Sequence, residues 1–239
     1  MKYEHQLRKL SSEERKNLSS EEIFHSAEFS SYLQKMGETL LRHCGITKRL
    51  SLTILPTGIA PGWTDGKKEY LVPENTITEA YNDIYAKFTA LLGIHFHEIA
   101  HIIYCDFAEE QKAIDKIKAG EFYGELPVPK TQAEVDALTE MKDALQNSAY
   151  RPLFQQIFND VTNTIDDPHD EGKIIDEFGG IVEKGIATSR EALFRSFDYA
   201  ENILANDKAT KLQKLYALML EFARFEDVFA RDLEQCVCD

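Results

Sequence analysis

The sequence predicts an α+β, mostly helical fold in which a small sheet packs on one long apolar helix. Leu50–Leu55 alternates in the way a strand does, and a second strand, ending Tyr70-Leu71-Val72, follows an Asp65-Gly66 turn. The run Leu91–Tyr104 is nearly all apolar over a helical length. Most of the remaining chain is rich in helix-forming residues.

Residues 1 to about 20 are charged and serine-rich and form a loose lead-in, leaving 21–239 as one domain. Within it, 21–107 holds a helix, the sheet and the apolar helix, and 108–239 forms a helical part. The first helix starts at Ser20 and runs towards Leu41 and Cys44. After the strands, Thr76 and Glu79 suggest a capping box. The helix they open either joins the apolar one or breaks near Gly93. Residues 108–147 read as interrupted helix, with Gly120–Pro129 as the clearest loop. Arg151–Asp166 reads as another helix, stopped by Pro168. The chain is again helical from Ser189, where Ala217, Leu218, Leu220, Phe222 and Phe225 suggest a core-facing stripe.

Composition excludes some classes of function. The 239 residues carry a formal charge of −14 and no dense basic cluster, which argues against a nucleic-acid surface. No apolar run reaches the roughly 20 residues of a membrane span. Met1–Arg8 is polar, without the apolar stretch of a secretory signal. Cys44, Cys105, Cys236 and Cys238 include no C-x-x-C pair, so reduced thiols in a cytoplasmic protein are expected. Cys236-Val237-Cys238 reads as a frayed tail.

The chemistry concentrates in His97-Glu98-Ile99-Ala100-His101, an H-E-x-x-H pattern inside the apolar helix. Residues i and i+4 share a helix face, so His97 and His101 can hold one metal ion. Zinc suits imidazole, and a third protein ligand would leave a coordination position open to water. Glu98 stands beside that position as the general base for a metal-activated water. An ionised glutamate in so apolar a run is costly unless something compensates it, as a metal would. Two satisfied histidines and a paired glutamate in a buried helix would leave the same pattern. His95 lies about 200° round the helix from His97 and should face away from the metal.

The third ligand should come from Phe158–Glu171. Asn163, Asp167 and Glu171 follow at i, i+4 and i+8 and share a face if the helix continues. Asp167 is the expected ligand, with Glu171 and then Asp166 as substitutes; a neighbouring carboxylate would orient a histidine through its free N–H. Helix capping explains the same residues differently: Asp167 as N-cap, Pro168 at N1 and Asp170 at N3. Asn163, Tyr104 and His169 are supporting candidates, the last two as donors to an oxyanion. Cys105 is a further possible ligand, though a packed thiol is the commoner role. The order of elements suits a zincin-like architecture, with the strand ending at Val72 as the sheet edge that would pair with an extended peptide.

Trp63-Thr64-Asp65-Gly66-Lys67, then Leu92–His101 with Asp106-Phe107, then Asn163-x-x-Asp166-Asp167-x-x-x-Glu171 occur in one order. Over about residues 50–190 this resembles the zinc metallopeptidase domains found N-terminal to von Willebrand factor A modules in bacterial and phage proteins. The resemblance implies His97 and His101 as ligands, Glu98 as base and a ligand from the acidic motif at Asp167 and Glu171. Pro168 and His169 depart from the pattern, and there is no D-x-S-x-S motif. A shortened or stand-alone form with a separately encoded regulatory partner is therefore expected. The expected function is zinc-dependent hydrolysis of peptide or protein substrates, with no nucleic-acid or membrane partner. The alternative is a zinc-stabilised interaction module without turnover, its site closed by a fourth ligand such as Cys105.

Overall fold

Two serines set how the chain enters the fold. In the computed structural model, which describes residues 19–196 and 200–225, Ser19 caps helix α1 (Ser20–Phe24) and Ser26 caps α2 (Ala27–His43). The Ser26 hydroxyl accepts the Phe29 N–H while its own backbone is extended, so the single helix expected here is two. The lead-in to residue 18, Cys236, Cys238 and the Phe222 and Phe225 side chains lie outside the described residues.

Three short strands follow: β1 (Ser51–Ile54), β2 (Gly62–Thr64) and β3 (Lys68–Leu71). Their order is β1-β3-β2, with β1 parallel and β2 antiparallel to β3. The β2–β3 turn is held by Asp65, whose Oδ1 accepts the Lys67 and Lys68 N–H groups, and by Gly66 at φ 77°. Trp63 and Tyr70, opposite each other in register, stack 5.1 Å apart. The strand ending at Tyr70-Leu71-Val72 is thus central and not the expected edge. Its ladder is taken up on both sides, and the sheet ends at β1 and β2.

Helix α3 (Thr76–Glu79) is opened by Asn75, whose Oδ1 accepts the Ile77 and Thr78 N–H groups; the Thr78 hydroxyl accepts the Asn75 N–H in return. The capping box therefore sits one residue before the expected Thr76–Glu79 pair. Asp83 caps a new helix, α4 (Ile84–Tyr104), which neither extends α3 nor breaks at Gly93. A Cβ on Gly93 would lie 2.1 Å from the Gly185 carbonyl oxygen, so glycine there lets two helices touch. The second is the helix that carries Gly185. Phe88, Leu91, Leu92, Phe96 and Ile99 on α4 are fully buried with Phe29, Leu33, Leu41 and Leu71.

The remaining helices are α5 (Phe107–Ala119), α6 (Gln132–Gln146), α7 (Arg151–Phe178), α8 (Gly180–Ser196), α9 (Ala200–Leu204) and α10 (Lys211–Phe225). Helix α7 passes through Pro168 without ending, against the expectation of a stop at Asp166 and of a cap at Asp167. An internal proline costs about 3 kcal/mol or more. On either side of it, Asp167, Asp170, Glu171 and Ile174 are all buried, and these tertiary contacts hold the helix together. Helix α8 begins at Gly180, well before the expected Ser189. Of the expected stripe, Ala217 and Leu218 are buried against Ile203 and Leu204, and Leu220 is half-buried.

The chain divides into two compact units. One comprises the described residues up to Cys105 and from Asp166 onward; the other is Asp106–Ile165. In the second, Gly120 ends α5 in the left-handed conformation, and the Arg151 guanidinium donates to the carbonyls of Lys118, Leu145 and Gln146. Among the described residues no single helix is long and apolar enough to cross a membrane.

Candidate metal centre

Within the first unit, α4 and α7 face each other with histidines on one and carboxylates on the other. His97 and His101, one turn apart, bring their Nε2 atoms to 3.0 Å. Asp167 Oδ1 lies 3.2 Å from His101 Nε2 and 3.8 Å from His97 Nε2. Two ligands bound tetrahedrally at about 2.0–2.2 Å from one ion stand roughly 3.3–3.6 Å apart. The three separations bracket that value, so these donors fit a single small cation.

The far side of each ring fixes its tautomer. His97 Nδ1 is 2.7 Å from Glu171 Oε1, and His101 Nδ1 is 3.3 Å from Asp170 Oδ2. A carboxylate only accepts, so each Nδ1 carries the proton and donates. In the neutral rings both Nε2 atoms then present lone pairs towards the same point. Facing lone pairs 3.0 Å apart are repulsive unless a proton or a cation lies between them. Carboxylates holding the outer ring nitrogens of metal-ligating histidines are a recurrent arrangement. Arg190 completes the chain of contacts, donating from Nε to Glu171 Oε2.

Charge follows the same logic. Burial pulls the His97 and His101 pKa values down, but the carboxylates reverse this and leave both raised: Glu171 and Asp167 act on His97, Asp167 and Asp170 on His101. Burial pushes the Asp170 carboxyl up, yet donors on His101, Cys105 and His169 hold it below its ordinary value. Burial likewise raises Cys105, to about 11, so it stays a protonated thiol. Its Sγ donates to Asp170 Oδ2 at 3.0 Å and lies 3.2 Å from His101 Nδ1, the outer nitrogen. Cys105 is therefore not placed with the Nε2 pair.

Glu98 is buried, and burial raises its carboxyl to about 7, with His97 and His101 partly offsetting the rise. It borders a cleft of ≈240 Å³ whose wall also includes Gly62, Ile94, His97, Glu171 and Arg190. Strand β2 reaches this wall through Gly62, where a Cβ would lie 2.6 Å from Ile94 Cγ2 and 3.1 Å from Glu98 Oε1. The sheet edge beside Glu98 is thus β2.

The other expected residues separate. Glu171 supports His97 from the outer side. Asp166 is only half-buried, although the negative charge of Asp170 helps burial to raise its carboxyl. Asn163 is exposed. Tyr104 commits its hydroxyl to Glu177 at 2.9 Å, and His169 is exposed with its Nδ1 3.1 Å from Asp170 Oδ1. His95 turns away as expected, its Nδ1 2.6 Å from Glu69 Oε1, and both of these side chains are fully buried. Sequence reasoning missed the support role of Asp170, which an i+3 spacing from Asp167 would have suggested, and missed Arg190 and Glu69, for which it held no signal.

Buried groups of His, Asp and Cys able to hold a metal ion are thus present. No protein-family model, curated protein or solved structure matches the chain.

Proposed function

We propose that this protein is a zinc-dependent peptidase of zincin-like architecture, with zinc held by His97, His101 and Asp167. The observation that carries the reading is the pair of Nε2 atoms 3.0 Å apart, each ring being held at Nδ1 by a carboxylate. Two nitrogens and one carboxylate oxygen suit zinc better than the oxygen-loving Mg²⁺ or Ca²⁺. When bound, zinc supplies Lewis acidity at the scissile carbonyl and makes water more acidic.

The chain's own residues do the rest. Glu98, raised to about 7, is poised to accept a proton from the attacking water near neutral pH and to pass it to the departing amine nitrogen. Glu171 and Asp170 hold the two imidazoles in register, so their Nε2 lone pairs stay directed at one point. The cleft beside Glu98 takes the peptide, with β2 as the adjoining strand. Cys105 faces the outer nitrogen of His101, which supports an open catalytic site over the closed, turnover-free alternative. Action on peptides in the cytoplasm, alone or with a separately encoded regulatory partner, completes the proposal.

Glu98→Gln tests it. The variant is expected to bind zinc like the parent and to lose peptide hydrolysis by a factor of about 10² or more. Undiminished hydrolysis would remove Glu98 from the mechanism.

A further inference from the structure

The cleft wall holds a cation that the hydrolytic reading leaves unused. Arg190 lines the cleft with His97 and Glu98, and its side chain is about one-third exposed. Its guanidinium is tied down at one edge only, by Nε to Glu171 Oε2. Among the described residues its two terminal nitrogens have no protein hydrogen-bond partner. It is also the sole Lys or Arg among the described residues of the wall, which is otherwise largely apolar (Ala60, Ile77, Ile94, Leu193). A guanidinium fixed through Nε presents its two terminal nitrogens as a fork that fits a carboxylate.

The location says which part of a substrate it would meet. One carboxylate, Glu171, separates Arg190 from the His97 ring. The cleft, ≈240 Å³, is smaller than the roughly 300–1,000 Å³ typical of ligand pockets and suits a short stretch of peptide. In a chain of net charge −14, a carboxylate ligand needs a local cation, and Arg190 supplies it there. Resting on the peptidase reading, we propose that Arg190 recognises a substrate carboxylate, so that the cleft takes peptides with a chain-terminal or side-chain carboxylate next to the bond cleaved.

Calorimetric titration of the zinc-loaded and metal-free full chain tests this with three probes. They are N-acetyl-Leu-Leu as the free acid, the same peptide as its amide, and N-acetyl-Leu-Glu-amide. The expected result is about tenfold tighter binding of one or both carboxylate probes than of the neutral amide. The probe that gains identifies the source of the carboxylate. Arg190→Gln should erase the preference, and Arg190→Lys should restore part of it. A role confined to holding Glu171 would weaken all three probes alike and leave their ratio unchanged. The proposal is overturned if neither carboxylate probe binds more tightly than the amide, or if Arg190→Gln keeps the preference. A preserved preference without any cleavage would contradict the peptidase reading alone.

Discussion

Each imidazole of the centre has two nitrogens with different duties, and single substitutions can separate them. Asp167 meets the inner nitrogens, while Glu171 and Asp170 hold the outer ones. Asp170→Asn and Glu171→Gln should each weaken zinc about 10–100-fold without unfolding the protein, as losses of outer support do. Asp167→Ala should cost more, because it removes a proposed ligand. Competition titrations against a chromophoric chelator give all three values. The inner pair was legible in the sequence because H-E-x-x-H has helical spacing, and Asp167 was legible from its register with Glu171. Asp170 carried a weaker signal: it is spaced i+3 from Asp167, but two residues after a proline it reads equally well as the third residue of a capped helix.

The helices place these side chains through two local decisions. At Gly93 a Cβ would meet the Gly185 backbone, which has no flexible end to move aside. Gly93→Ala should therefore destabilise the fold by about 1–3 kcal/mol or more, despite alanine's better helix propensity, and chemical denaturation measures this. At Pro168 the helix is held against proline's own tendency, so Pro168→Ala should stabilise the protein while Asp167, one residue earlier, keeps its place. Sequence patterns gave β1, β3 and the apolar helix but missed β2 (Gly62–Thr64), and so did not show which strand was central. Alternation marks a strand's faces, whereas its neighbours depend on where β1 returns. The stop expected at Pro168 failed for a related reason: propensity is local, and the contacts that override it come from residues far away in sequence.

For the molecule as a whole, protons and the proposed zinc would compete for the same nitrogens. His97 and His101 have raised pKa values in the metal-free fold, so they tend to hold protons that zinc must displace. Zinc affinity should therefore rise with pH, by about tenfold per unit for each proton released. Hydrolysis should fall on the acid side as Glu98 is protonated. Its midpoint should lie below the metal-free value of about 7, since a bound cation favours the carboxylate. A pH series of zinc titrations and of kcat/KM separates the two effects.

The central claim is that one ion sits between two inner imidazole nitrogens and Asp167. Anomalous diffraction at the zinc edge from zinc-loaded crystals tests it most directly. The account predicts one strong peak per chain, within bonding distance of His97 Nε2, His101 Nε2 and an Asp167 carboxylate oxygen, with a position left open on the cleft side. A peak among His101 Nδ1, Cys105 and Asp170 instead, or no stoichiometric peak, would contradict it.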